Sequence, residues 1–274
     1  MSDATEQITT IALDLDNTLL NSQKNISAAN TAVLKQLHQQ GKRIVLCTGR
    51  ALTLIKPWLQ QLDLTQPTDY SITYNGGLIQ NNVTNEILSQ TVLTKTDIAN
   101  LYRDARKLDF PLDVLGIDGV YSLMELGKSD YENYLKHQLP FKNLTFEQLP
   151  EHEVYGKAVC ATTEAVVQRI RYQLSPATQE KFQIVPSRRE MLEFMPAGVN
   201  KAAGLKQLLA HFGDDFSNLM AFGDEENDLE MIQAAGIGVA MENAIPQVKA
   251  VAQAVTKNND ADGVAYYLRQ YFQL

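Results

Sequence analysis

The apolar run Ile11-Ala12-Leu13 leads directly into Asp14-Leu15-Asp16-Asn17-Thr18, two carboxylates and a hydroxyl at the point where a buried strand would run out. Strand side chains alternate between faces, so Asp14 and Asp16 lean to one side, roughly 6–7 Å apart along the chain. Two carboxylates that close to an apolar interior are costly unless a cation or a proton separates their charges. A divalent ion is the usual solution, and hard oxygen ligands of this kind favour Mg²⁺. The chain is therefore expected to place a strand tip, and a charge problem, at the same spot.

Three further stretches, each at a strand or helix end, carry other parts of such a site. Ile44-Val45-Leu46-Cys47-Thr48-Gly49-Arg50 is an apolar run ending in a hydroxyl, a glycine and a cation. Thr48 can donate to a phosphate oxygen, and Gly49 allows close approach of the backbone N–H. In Gly198-Val199-Asn200-Lys201, Asn200 reads as the N-cap of a helix over 202–212, which puts Lys201 in its first turn. A cation there opposes the helix dipole at a cost of about 0.3–1 kcal/mol, a sign that an anion held beside it would reverse. Finally Leu219-Met220-Ala221-Phe222 ends in Gly223-Asp224-Glu225-Glu226-Asn227-Asp228, with Asp224 at the tip and Asp228 one helical turn on.

These motifs, with Tyr74-Asn75-Gly76-Gly77 and Gly198 to Leu205, resemble the haloacid-dehalogenase superfamily of phosphohydrolases, in its Cof-type (subclass IIB) sugar-phosphatase-like branch. Their order and spacing fit along essentially the whole chain. Asn17 departs from the glycine more common in the family, and Asn is the next best tolerated residue at a left-handed backbone position. The resemblance implies an α/β fold, a Rossmann-like parallel-sheet core with an inserted α+β cap domain. It implies Asp14 as a nucleophile forming an aspartyl-phosphate and Asp16 as acid and then base. Thr48, Gly49 and Lys201 would hold the phosphate, and Asp14, Asp16 (through its carbonyl) and Asp224 would hold Mg²⁺. Thr18 would fix the loop, Asp228 would orient Lys201 or ligand waters, and Asn227 would contact phosphate or metal.

Other residues carry two readings. Asn75 fits a substrate contact or a plain turn, and Arg50 a phosphate contact or a surface ion pair. Glu225 and Glu226 fit the first turn of a helix. Glu193 and Arg188-Arg189 lie where the insert rejoins the core and could face the substrate. His38, His137, His152 and His211 show no metal spacing. Cys47 and Cys160 lie in apolar runs and read as buried, reduced thiols.

At 274 residues, length suggests two domains. Strand and helix alternate from Ile8 to Tyr74, with a helix from Ser27 to a stop at Gly41, which argues for a parallel sheet. Residues 1–82 plus 189–274 are expected to form the core and 83–188 the cap that sets substrate selectivity. Within the cap the pattern predicts helices at 96–108, 129–138 and 163–174, a hairpin around Asp118-Gly119, and strands at 156–161, 182–185 and 191–194. A net charge of −8 without a basic run argues against a nucleic-acid surface. No apolar stretch reaches the ~20 residues of a membrane helix, and the polar N-terminus is not a signal peptide. The expectation is a cytoplasmic monomer or small homo-oligomer acting on a small phosphomonoester. A phosphotransferase or phosphomutase on the same core, and a non-catalytic ligand-binding relative, are the alternatives.

Overall fold

The computed structural model describes residues 7–117, 119–136 and 138–274. The chain divides into two compact units, Met1–Gln90 with Asn200–Leu274, and Thr91–Val199.

The first unit is built on a five-stranded parallel sheet in the order Ala254–Val255, Ile237–Ala240, Leu219–Gly223, Thr10–Leu13, Arg43–Leu46. The central strand, Thr10–Leu13, is buried along its whole length. Such continuous burial is what a parallel sheet covered on both faces requires. Its register sets Leu13 between Phe222 and Leu46, so three strands end side by side. Asp14, Thr48 and Asp224 follow those ends. Helices Ala28–Gln39, Leu52–Gln61, Lys201–His211 and Gly263–Phe272 supply Leu34, Leu37, Ile55, Leu208 and Leu268 to the same core. Each fully buried side chain of this size contributes about 1.5–3 kcal/mol.

Ser27 caps the first of these helices by accepting from the Asn30 N–H, and Gly41 follows its end at φ 88°. Beyond Leu46, the Thr48 N–H donates to the Ile72 carbonyl at 2.9 Å, which brings strand Tyr70–Thr73 alongside. That strand opens a three-stranded antiparallel sheet with Leu78–Asn81 and Ile87–Gln90.

The second unit contains a six-stranded sheet in the order Phe182–Arg188, Met191–Pro196, Lys157–Ala161, Asp113–Leu115, Val120–Leu123, Phe141–Leu144. Only the last pair is parallel. Val114, Ala158, Cys160, Leu192 and Phe194 form its apolar face, packed with Ile98, Leu101 and Ala105 of helix Lys95–Leu108 and Val167 and Ile170 of helix Glu164–Arg171. Their neighbours in sequence, Asp113, Lys157, Val159 and Glu193, point to the other face.

Several elements differ from the sequence expectation. The return to the first unit falls at Asn200 instead of near 189, because Met191–Pro196 pairs antiparallel with both Phe182–Arg188 and Lys157–Ala161. Its leading edge falls after Gln90 instead of at 83, since Ile87–Gln90 completes the small sheet with Leu78–Asn81. The helix expected over 129–138 shrinks to Tyr131–Leu135, with left-handed Lys136 after it. Helix Pro176–Lys181, capped by Ser175, and strand Phe141–Leu144 are additions that the sequence pattern does not predict. The hairpin near Asp118-Gly119 closes through Gly116 N–H to the Gly119 carbonyl at 2.9 Å, Asp118 and His137 lying outside the described residues. Among the described residues no helix is long and apolar enough to cross a membrane.

Candidate active site

Lys201 is the first residue of its helix, and the Asn200 side chain caps that helix by accepting from the Ala203 N–H at 2.7 Å. The ammonium is wholly buried. It donates to Asp14 Oδ1 at 2.5 Å and to Asp228 Oδ1 at 2.6 Å. Burial alone would lower its pKa, but the two carboxylates hold it above the ordinary lysine range. A lysine in the first turn, unfavourable by itself, is thus paired twice over.

Asp228 is committed on both oxygens. Oδ1 takes Lys201, and Oδ2 accepts from the Asp224 and Glu225 N–H groups at 2.9 and 3.1 Å. Asp224 accepts from the Thr18 hydroxyl at 2.7 Å, which ties the tip of strand Leu219–Gly223 to the loop after Thr10–Leu13. Carboxylate oxygens of Asp14, Asp224 and Asp228 all lie within 4.8 Å of one another. Burial pushes Asp14 up to about 8 against the pull of Lys201, and pushes Asp224 up to about 7 against its bond from Thr18. One ammonium does not neutralise three carboxylates. The donor set, all hard oxygen and buried, fits a small divalent cation.

Asp16 stands apart from that cluster. Arg50 grips it bidentately, Nε to Oδ2 at 2.9 Å and Nη2 to Oδ1 at 2.8 Å, and Lys24 adds a third bond to Oδ1 at 2.8 Å. Burial would raise its pKa, yet these cations bring it down to about 2. Of the two readings open for Arg50, the ion pair is the one observed. Lys24 belongs to none of the sequence motifs. It comes within reach of Asp16 across a turn closed by Asn21, whose side chain accepts from the Gln23 and Asn25 N–H groups. Asn17 is left-handed at φ 62°, the conformation its place in the motif implied.

Thr48 is buried, and its hydroxyl accepts from the Arg50 N–H at 3.2 Å, folding the Thr48–Arg50 turn. Asn75 joins two of the sequence motifs. Its N–H donates to the Thr48 carbonyl at 2.9 Å, and its Oδ1 accepts from Asn227 Nδ2 at 3.0 Å. The amide also packs on Gly49, 3.1 Å from where a Cβ would sit. Tyr74, Asn75 and Gly76 are all left-handed, at φ 50°, 55° and 105°. At Gly76 a Cβ would lie 2.1 Å from the Asn200 carbonyl, so only glycine lets this turn meet the start of the Lys201 helix. Glu225 caps and Glu226 opens a short helical turn, Glu226–Asp228, and both are exposed.

The family model for haloacid dehalogenase-like hydrolases matches residues 11–268. The chain belongs to that family. The 5-amino-6-(5-phospho-D-ribitylamino)uracil phosphatase YitU of Bacillus subtilis is 31% identical over 281 residues, covering 96% of this chain and 97% of that protein. A haloacid dehalogenase-like hydrolase from Bacteroides thetaiotaomicron superposes with a TM-score of 0.86 at 31% identity, over 97% of this chain and 100% of the other. A subclass IIB sugar phosphatase shares the fold, with a TM-score of 0.80 at 22% identity, over 97% and 100%. This family member is a phosphoric monoester hydrolase with a parallel α/β core and an antiparallel-sheet insert.

Proposed function

We propose that this hydrolase is a Mg²⁺-dependent phosphatase of small soluble phosphomonoesters, sugar or cofactor phosphates, working through an aspartyl-phosphate on Asp14. The observation that carries the reading is the buried Lys201 shared by Asp14 and Asp228, with Asp16 on the same loop outside the cluster.

With Lys201 held on Oδ1, Asp14 attacks phosphorus through Oδ2. The new Oδ2–P bond forms as the bond from phosphorus to the leaving oxygen breaks, and Asp16, once released from Arg50 and Lys24 and protonated, gives that oxygen its proton. Water then attacks the aspartyl-phosphate, Asp16 takes the proton back, and phosphate and free Asp14 result. Lys201, Thr48 and the Gly49 N–H hold the phosphoryl oxygens, and Asn227 and Asn75 brace the same side. Asp14, Asp224 and the Asp16 carbonyl would hold the Mg²⁺, while Asp228, with both oxygens engaged, orients Lys201. The bound cation supplies charge neutralisation at the phosphoryl oxygens.

The core motifs contain nothing that reads a leaving group, so the insert is assigned substrate selectivity. Phosphate release across a panel of sugar and cofactor phosphates, with Mg²⁺ and with a chelator, tests this. Release with Mg²⁺ and its loss on chelation are expected, and Asp14→Asn should fall to background with an unchanged circular dichroism spectrum. Isomer formation from a hexose phosphate without phosphate release would make the protein a mutase instead. Full activity after exhaustive chelation would refute the metal.

A further inference from the structure

The loop that carries Asp16, Thr18 and Lys24 is held from a distant part of the sequence. Asn259 lies 239 residues beyond Leu20, is buried, and donates through Nδ2 to the Leu20 carbonyl at 3.0 Å. Its own N–H donates to Asn243 Oδ1 at 3.1 Å, and Asn243 Nδ2 donates to the Asn17 carbonyl at 2.9 Å. The neighbouring Asp260 accepts from both the N–H and the hydroxyl of Ser22, at 2.8 and 2.5 Å. Three points of one loop, 17, 20 and 22, are therefore bound to two short segments near the C-terminus. The first of those segments also holds the opposite side of the site, since the Ile245 N–H donates to the Asp224 carbonyl at 2.9 Å.

We infer that Asn259 is a positioning residue for proton transfer by Asp16, acting through the Leu20 carbonyl with Asn243 and Asp260 as flanking braces. This rests on the phosphatase reading above. Asp14 follows its strand directly, and its own N–H is tied to the Phe222 carbonyl at 3.1 Å, so the sheet itself fixes the nucleophile. Asp16 has no such tie to the sheet; its side chain is held by Arg50 and Lys24 and its backbone by the loop itself. Its place depends on a loop whose inner bonds, Leu19 N–H to the Asp14 carbonyl and Leu20 N–H to the Leu15 carbonyl, persist only while the loop stays folded. Asn259 is the one brace that is buried, where a hydrogen bond is least replaceable by water. Loosening the loop should therefore harm the step that needs a placed proton more than the attack by Asp14. Alkyl leaving groups need that proton and p-nitrophenolate does not.

The test compares the parent with Asn259→Leu, which keeps the volume and removes the donor. Asn30→Leu serves as a structural control, because buried Asn30 likewise bridges distant segments by accepting from the Ala265 N–H at 2.8 Å, away from the loop. For Asn259→Leu we expect kcat/KM, which reports the leaving-group step and not the hydrolysis of the aspartyl-phosphate that both esters share, to fall about tenfold or more on an alkyl phosphomonoester and by less than about threefold on p-nitrophenyl phosphate. Amide exchange at Leu19 and Leu20 should rise about tenfold. Should Asn259→Leu fail to fold, Asp260→Ala, on the exposed flank, should show the same preference at about two- to threefold. Equal losses on both substrates, matching Asn30→Leu, overturn the assignment, as does unchanged alkyl turnover in Asp260→Ala. A parent that turns over neither ester refutes the phosphatase reading instead, and exchange at Leu19 and Leu20 then still decides whether Asn259 holds the loop.

Discussion

Each unit buries a lysine among carboxylates, and the two arrangements differ in one respect. In the insert, Lys157 meets Glu193 at 3.0 Å, one cation for one anion, with side chains 7% and 12% exposed. In the core unit, Lys201 is divided between Asp14 and Asp228 while Asp224 stands close by. The first pair closes on itself, as a structural ion pair does. The second leaves negative charge uncompensated in a buried place, and folding has no reason to retain that arrangement. An excess of buried like charge therefore marks the candidate site better than burial or charge alone.

That contrast can be broken experimentally. The largest effect should come from Lys201→Met, which strands two buried carboxylates. Measured by denaturant unfolding in chelator, it should cost about 3–5 kcal/mol, and turnover should vanish. A loss below about 1 kcal/mol would show that Lys201 is no structural counter-charge at all. Lys157→Met should cost less, about 2 kcal/mol, because Glu193 keeps some access to water. Pairing that change with Glu193→Leu should recover most of the loss, as expected when a closed ion pair is replaced by apolar groups. The same rescue by apolar residues should fail for activity at Lys201.

The smallest effect sharpens the comparison within the insert. Asp113 is buried on the same sheet, accepts from the Ser122 hydroxyl at 2.5 Å, and its second oxygen has no hydrogen-bond partner among the described residues. Burial raises its pKa from the ordinary 3.8, in spite of the bond from Ser122. A raised folded-state pKa favours folding while the group is protonated and opposes it once pH passes that value. The stability of Asp113→Asn relative to the parent should hence be level below pH 3.8, move in the variant's favour as pH rises, and level off above the raised pKa. Thermal melts across that range would show it, and a difference that does not vary with pH would remove Asp113 from the account.

Much of the site is legible in the amino-acid sequence. Asp14, Thr48 and Asp224 each sit at a boundary between an apolar run and a polar tip, which one sheet brings together at its carboxyl edge, and Lys201 is legible as the first residue of a helix capped by Asn200. Less legible are the partners of those residues. Nothing local marks Lys24 as a partner of Asp16, because the contact needs the Asn21 turn to reverse the chain. Asn75 is readable as a turn residue, but its link to Asn227 spans 152 positions. In the insert, the Met191–Pro196 strand is an apolar run broken only by Glu193 that suits either unit, and only its pairing with Phe182–Arg188 and Lys157–Ala161 assigns it.

What the chain encodes locally is the set of elements and the chemistry at their ends: strands from continuous apolar runs, helix starts from Ser27 and Asn200, and a glycine where a left-handed turn meets a helix. Short-range sterics and capping decide those, and they are visible within a few residues. Tertiary structure alone decided which charges share a counter-ion. It set Lys201 between Asp14 and Asp228, aimed Arg50 at Asp16, and laid Asn259 under Leu20. Such pairings depend on where distant strand ends and loops converge in a buried setting of low polarity, and a residue's neighbours in sequence carry no record of that.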